Sequence, residues 1–356
     1  MTVLVTGAAG FIGFHISRRL LNDGIPVIGY DNINDYYDVN LKKARLNELK
    51  KISKINNTKF SLIKNDLENN EALNMAFQGK LLNGDNLNIG IPKKVIHLAA
   101  QAGVRYSIEN PNAYIQSNIV GFGNILENSR KHRIEHLVYA SSSSVYGGNT
   151  NVPFSEKHCV DHPVSLYAAT KKSNELMAHS YSHLYKIPMT GLRFFTVYGP
   201  FGRPDMALFI FTKAILENKP INLFNNGNMI RDFTYIDDIV ESVIRVLKKP
   251  PKSTIGFDTK NPDPSKSWAP YNVFNIGNSS PTPLLEYVQA IEKSLNKISQ
   301  RKLLPMQPGD VEQTASDCKS LEKWINFQPK TSIQDGVDNF TKWYVDFYNC
   351  SQINIS

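Results

Sequence analysis

A chain of 356 residues, 41% hydrophobic and 20% charged, has the make-up of an ordinary globular protein with room for one large domain or two smaller ones. The net charge of +8 is spread along the sequence, which argues against a nucleic-acid platform and fits electrostatic steering of small anions. No apolar run approaches the roughly 18 residues of a membrane span. An apolar strand that starts at residue 2 argues against a signal peptide, and the odd, widely spaced Cys159, Cys318 and Cys350 read as reduced thiols of a cytoplasmic protein.

Val3, Leu4 and Val5 predict a buried parallel strand, and the amphipathic run Phe11 to Leu21, with Ile12 in its first turn, predicts a helix. Gly7, Gly10 and Gly13 lie between and within them at three-residue spacing. Strand, glycine turn and helix form a phosphate-binding arrangement. The turn lets a pyrophosphate approach the backbone, and the helix start offers free N–H groups at the positive end of its dipole. The spacing is GxxGxxG, so a plain tight turn is the bland alternative, but the position after an apolar strand favours a dinucleotide. A second strand, Val27 to Tyr30, ends in Asp31-Asn32. An acid about 20 residues past the glycines accepts ribose hydroxyls and repels a 2′-phosphate, which selects NAD over NADP.

The basic stretch Lys42 to Lys54 has helical apolar spacing and reads as the solvated face of a surface helix. A third strand, Lys59 to Ile63, ends near Asp66-Leu67, and a short helix near Glu71 to Phe77 leads into a motif-free loop, Gly79 to Gly90. A fourth strand, Val95 to Leu98, runs into Ala99-Ala100-Gln101-Ala102-Gly103, small residues against which a cofactor can lie. A long helix is expected over Asn112 to Lys131, then a fifth strand, His136 to Ala140, running into Ser141 to Ser144. Strands alternating with helices predict a doubly wound parallel sheet.

Tyr167 and Lys171, four residues apart, share one helix face. An ammonium beside a phenol favours phenolate and lowers its pKa from about 10, which makes a usable base. Such a pair alone is common on exposed helix faces; its value here comes from the glycine turn and the serine run. After the strand Met189 to Phe194 the alternation breaks down, with helices expected near Ala207 to Glu217, Asp237 to Leu247, Leu284 to Asn296 and Gly336 to Tyr348, and a surface loop over Lys249 to Pro270. The expected division is 1–196 for cofactor and catalysis and 197–356 mainly for substrate, with the chain free to cross between lobes near 225–275.

These residues together resemble the extended short-chain dehydrogenase/reductase family, which implies a Rossmann-type doubly wound sheet with a smaller mixed α/β C-terminal lobe. Beyond the glycine turn, Asp31 and Tyr167/Lys171, the likeness rests on His97-Leu98-Ala99-Ala100, Val145-Tyr146-Gly147 and Arg231 to Asp238. Within that family the chain looks most like the UDP-glucuronate 4-epimerases, through Asp31 to Asp38, Ala100 to Ser107, Phe195 to Ala207 and Pro308-Gly309-Asp310-Val311.

The resemblance implies Tyr167 as base, Lys171 as its electrostatic partner, and Ser142 as the hydroxyl shared with the sugar 4-oxygen. It assigns bound NAD to Gly7, Gly10, Phe11, Ile12, Gly13, Asp31, Asn32, Asp66, Leu67, Ala99, Ala100, Gln101, Tyr167 and Lys171. It places Arg231 on the UDP phosphates, Phe224 on uracil, Asp310 on the uridine ribose, and Arg105 near nucleotide or sugar. Ser143, Ser144, Thr196 and Arg203 are the expected carboxylate partners, although arginines on such lobes are often solvated and Phe224 would also suit a core.

The implied activity is C4 epimerisation of UDP-glucuronate through a 4-keto sugar, in a homodimer joined by the helices near 112–131 and 165–185. Related dehydratases carry an Asp-Glu pair after the catalytic Ser/Thr, and related decarboxylases a Glu two residues before the Val-Tyr-Gly tyrosine. Ser143 and Ser144 stand there instead. The alternatives are a UDP-glucose 4-epimerase, a UDP-glucuronate decarboxylase, and a non-catalytic NAD-binding regulator. No metal is expected.

Overall fold

The computed structural model describes residues 1–307 and 310–350, so Pro308 and Gly309 of the last motif lie outside the described residues. Strands β1 (Thr2–Thr6), β2 (Val27–Asp31), β3 (Phe60–Lys64), β4 (Pro92–His97), β5 (His136–Ser142) and β6 (Met189–Phe194) carry the first half. The second half adds β7 (Thr196–Tyr198), β8 (Ile221–Leu223), β9 (Ile230–Tyr235), β10 (Tyr271–Ile276), β11 (Pro281–Pro283) and β12 (Arg301–Leu303). Seven strands form one parallel sheet in the order β10-β6-β5-β4-β1-β2-β3. All residues of β1, β2 and β6 are buried, as strands covered by helices on both faces must be.

The helices over the sheet are α1 (Phe11–Asn22), α2 (Val39–Ile55), α3 (Asn70–Phe77), the short α4 (Tyr106–Glu109) and α5 (Pro111–Tyr114), α6 (Gly121–Lys131) and α7 (Leu166–Tyr185). The helix expected over 112–131 is not one regular α-helix: between α5 and α6, Ile115–Val120 is a wider, π-type turn. Such a turn frees backbone carbonyls from the ladder, and here Asn174 Nδ2 donates to the Asn118 carbonyl at 2.6 Å.

Most of the second lobe comes from α8 (Ala207–Leu216), α10 (Leu284–Leu295), α11 (Lys319–Ile325) and α12 (Ile333–Phe347), with the three-stranded sheet β11-β9-β7 and the pair β12-β8. Between them α9 (Ile236–Lys248) and β10 return to the large sheet. The α9 residues Ile236, Ile239, Val240, Val243, Ile244 and Leu247 recur at helical spacing and are buried. Outside that stripe, Glu241 accepts an ion pair from Arg19 of α1 at 2.7 Å.

The order reverses between β1 and β4, and the strand ends Thr6, His97, Ser142 and Phe194 all point to one edge. A doubly wound sheet receives its ligands in the crevice at such a reversal. The functional side chains collect there.

Candidate active site

A cleft of about 970 Å³ follows that edge and continues between the lobes. Every expected site residue except Asp66 lines it. Gly7 has φ +73°, and a β-carbon there would stand 2.8 Å from the Ala99 nitrogen; one at Gly13 would overlap the Gly7 carbonyl oxygen. Both positions therefore require glycine, because the β1 turn, the β4 end and the start of α1 touch backbone to backbone. Gly10 caps α1 with no side-chain acceptor, so the Phe11, Ile12 and Gly13 N–H groups stay available to an anion.

Asp31 ends β2 at the cleft and is 9% exposed. Its Oδ2 accepts from Ala9 N at 3.0 Å and its Oδ1 from Ile33 N at 2.8 Å. Burial pushes its carboxyl pKa up, against the pull of these two bonds, Lys42 and Arg45. A carboxylate has further lone pairs, so two ribose hydroxyls remain within its capacity. Asn32 and Leu67 line the cleft, but the Asp66 side chain turns away to accept from Asn32 Nδ2 at 2.7 Å. Asp66 thus holds Asn32 from outside the cleft lining.

At the β4 end, Ala99 N donates to Thr6 Oγ1 (3.2 Å), whose hydroxyl pairs with His97 Nδ1 (2.8 Å). Burial, helped by Lys171, takes the His97 pKa down to about 3, so this histidine is a neutral bracket for the strand ends. Gln101 is clamped by Asn118 of the π-type turn: Gln101 N donates to Asn118 Oδ1 (2.8 Å) and Asn118 Nδ2 to the Gln101 carbonyl (3.0 Å).

Tyr167 lies in the first turn of α7, which Ser165 caps by accepting from Ala168 N at 3.1 Å. Lys171, one turn on, is 2% exposed and donates to the Ala140 carbonyl at 2.9 Å. In this state the expected drop of the phenol pKa is absent. Burial pushes Tyr167 up, the Ser142 hydroxyl and Arg203 pull it back, and Lys171 spends its bond on strand β5. Burial alone lowers Lys171 to about 8. Ser142 also starts the turn Ser143–Tyr146, accepting from Ser144 N (3.2 Å) and donating to Ser144 Oγ (3.1 Å).

A buried network that sequence spacing does not reveal lies behind these residues. Glu175, on the Tyr167/Lys171 face of α7, accepts from Ser141 Oγ (2.6 Å) and from Arg193 Nε and Nη2 (2.9 Å each). Arg193 Nη1 donates to Tyr146 Oη at 3.0 Å. The network fixes β5, and hence Ser142, against α7. Removing one partner of such a buried pair costs roughly 3–5 kcal/mol.

Across the cleft, Thr196 begins β7 and Phe224 is half-buried on the cleft wall, not in the core. Arg105 Nη2 donates to Asp310 Oδ2 at 2.8 Å, and its guanidinium lies 5.2 Å from the Phe224 ring centre. Arg231 donates to the Ile230, Glu312 and Val311 carbonyls at 2.7–2.9 Å, so it braces the 311–312 segment as well as facing the cleft. The basic helix α2 departs from expectation at two positions: Lys42 and Arg45 are buried, not solvated. Among the described residues no cluster of His, Cys, Asp and Glu could hold a metal.

A glycine turn and a phenol–ammonium pair that open on the same edge of a doubly wound sheet define the extended short-chain dehydrogenase/reductase class. Within it the chain belongs to the family described as GDP-mannose 4,6 dehydratase, which matches residues 4–340. It is 55% identical over 348 residues to Protein CapI of Staphylococcus aureus, covering 98% of this chain and 99% of that protein. It is 46% identical to UDP-glucuronate 4-epimerase 4 of Arabidopsis thaliana over 98% of this chain and 76% of that one. The fold is similar to the crystal structure of a UDP-glucuronic acid 4-epimerase from Bacillus cereus in complex with UDP-glucuronic acid and NAD. That match has a TM-score of 0.82 and 32% identity, and covers 98% of this chain and 100% of the other.

Proposed function

We propose that this protein is an NAD-dependent UDP-glucuronate 4-epimerase that interconverts UDP-glucuronate and UDP-galacturonate through a transient 4-keto sugar. The observation that carries the reading is the make-up of the cleft where Tyr167 stands: Ser142 is followed by the neutral Ser143 and Ser144, and Thr196 and Arg203 line the same cleft. A dehydratase needs an acid to expel water. Here the added side chains are hydroxyls and a guanidinium, which suit a sugar carboxylate.

The residues fit NAD. The Gly7–Gly13 cradle, which β-carbons would fill, and the uncapped start of α1 suit a pyrophosphate, with Asp31 for the adenosine ribose and Lys171 for the nicotinamide ribose. When bound, NAD⁺ would supply a reversible hydride acceptor for C4 of the sugar, which is what allows return of the hydride to the opposite face. Tyr167 removes the 4-hydroxyl proton and gives it back, and Ser142 holds the 4-oxygen. Arg231 and Arg105 neutralise the diphosphate, Phe224 supports the uracil and Asp310 the uridine ribose. Ser143, Ser144, Thr196 and Arg203 hold the carboxylate, so the C5–C6 bond of the β-keto acid stays out of line with the carbonyl π system and CO₂ is retained.

A cytoplasmic homodimer belongs to the same reading. Ile115, Val120, Leu176, Leu184 and Tyr185 are exposed apolar side chains on the 111–131 stretch and α7, and pairing those helices with a second copy covers them. No helix among the described residues is long and apolar enough to cross a membrane. Incubating the protein with UDP-glucuronate and resolving the products by NMR tests the activity. UDP-galacturonate without net NADH supports it; turnover of UDP-glucose alone would transfer the reading to the neutral hexose.

A further inference from the structure

Arg45 has no part in the expected machinery, yet it is among the most completely buried side chains of the protein, at 0% exposure. Its guanidinium joins two halves of the cleft. On one edge, Nη1 donates to the Ala9 carbonyl of the phosphate turn at 2.8 Å and to Tyr37 Oη at 2.7 Å. On the other, Nη2 donates to the Phe201 carbonyl at 2.7 Å and to the Gly202 carbonyl at 3.1 Å. All four acceptors are neutral, so a full positive charge lies buried under the turn that receives the pyrophosphate, with no carboxylate hydrogen-bonded to it. A buried charge is costly without an opposite one, and the acid that feels this one is Asp31, which ends β2 beside the same turn and meets the adenosine ribose in the epimerase reading.

The far end of this bridge is a constrained segment. Phe201 adopts φ +56°, a left-handed conformation that costs a non-glycine residue about 1 kcal/mol or more and persists only where neighbours impose it. Its neighbours include Arg45, two residues of α1 and two of α12: His15 Nε2 meets the Pro200 carbonyl at 2.8 Å, the Phe201 ring lies 4.9 Å from those of both Phe14 and Trp343, and Phe347 is 5.6 Å away. Arg203, the expected carboxylate partner, follows directly.

We infer that Arg45 is a positioning residue which ties the dinucleotide turn at Ala9 to the Phe201–Gly202 segment, and so fixes where Arg203 holds the sugar carboxylate. The inference rests on the epimerase reading. One planar group serves four acceptors in two directions, which a lysine ammonium cannot do. When the tie is cut, Arg203 drifts and the carboxylate rotates into line with the 4-keto group. The C5–C6 bond then breaks and CO₂ leaves. The electron pair forms an enolate that takes a proton at C5, and the hydride stays behind on NADH.

The test compares wild type with Arg45→Lys, Arg45→Met and Tyr37→Phe. Folding is checked by thermal melting, NAD affinity by titration without sugar, and the UDP-galacturonate to UDP-4-keto-pentose ratio by NMR. Arg45→Lys keeps the charge and is expected to hold NAD nearly as wild type, yet raise the keto-pentose share about tenfold, the scale of a lost hydrogen bond to a charged group. Arg45→Met is expected to do the same and to bind NAD about tenfold more weakly, for loss of the charge. If Arg45→Met does not fold, Tyr37→Phe carries the test, with a smaller shift in the same direction.

A wild-type product ratio in folded Arg45→Lys and Tyr37→Phe, with only a lower melting temperature, would overturn the inference and leave Arg45 a structural residue. Wild-type protein that releases keto-pentose as its main product, or ignores UDP-glucuronate, overturns the epimerase reading instead. The NAD titration still reports on Arg45 in that case.

Discussion

Asp205 clasps Arg203 through two bonds, Nε to Oδ1 at 3.0 Å and Nη2 to Oδ2 at 2.5 Å, and Tyr36 Oη donates to the same carboxylate at 3.4 Å. Burial pushes the Asp205 carboxyl up, but Arg203 outweighs it and holds the group below the usual carboxylate range. Two guanidinium nitrogens are thus committed to a fixed partner, which leaves Nη1 for a ligand. Asp205→Asn keeps the shape and removes the charge that sets this geometry. The expected result is a rise in KM for UDP-glucuronate of about ten- to a hundredfold, the scale of a charge-assisted pair. NAD affinity should be unchanged; steady-state kinetics and an NAD titration read the two separately.

Tyr167→Phe removes the phenolic oxygen but keeps the ring that lies edge-on to Tyr114 at 6.0 Å. The fold and NAD binding should survive, whereas kcat should fall by about 10²–10⁴, the usual contribution of a positioned acid–base group. Full activity in this variant would remove Tyr167 from the chemistry and revive a binding-only role.

Acid stability follows from three buried histidines. Burial is the leading cause in each: His15 is held well below 6.5, His97 at about 3 and His136 at about 4. The native state keeps the rings neutral, while the unfolded chain protonates them below about pH 6.5. The stability they contribute is therefore complete above that pH and is lost as pH falls towards the folded values. Three protons bound only by the unfolded chain correspond to as much as about 4 kcal/mol per pH unit, so melting temperature should drop steeply between about pH 6 and 4.5. A His97→Gln variant should show a shallower slope in the same scan.

The exposed apolar side chains of α7 give the proposed dimer a direct handle. Leu176 is 57% exposed and Leu184 63%, so a charge at either costs the monomer little. Leu184→Glu should convert a dimer to a monomer in light scattering with the melting behaviour of the protomer nearly retained. A wild-type protein that is monomeric at micromolar concentration would rule this arrangement out.

The parts of the site legible from sequence are those whose geometry is local. Gly7, Gly10 and Gly13 state a turn because strand and helix flank them, and Tyr167 with Lys171 state a shared face because helix period alone puts them there. Arg45 was not legible: its acceptors on Phe201 and Gly202 lie 156 and 157 residues away, and a charge in a basic helix reads by default as facing water. The π-type turn at Ile115–Val120 was hidden for the same reason: its Asn118 bonds to Gln101, Thr170 and Asn174, which lie 17 to 56 residues away. Local pattern also misplaced the balance at Tyr167, because spacing announces a neighbouring ammonium but not the burial that opposes it. Lys171 directs its bond to Ala140, a partner fixed by packing of α7 on β5.

In the proposed reaction the protein inverts C4 of a uronate and keeps its carboxylate. Proton NMR of UDP-glucuronate incubated with the purified protein and NAD⁺, with NADH absorbance followed in the same sample, tests it most directly. An equilibrium mixture of UDP-glucuronate and UDP-galacturonate with no accumulating NADH is the expected result. A UDP-4-keto-pentose signal rising in step with NADH would contradict it.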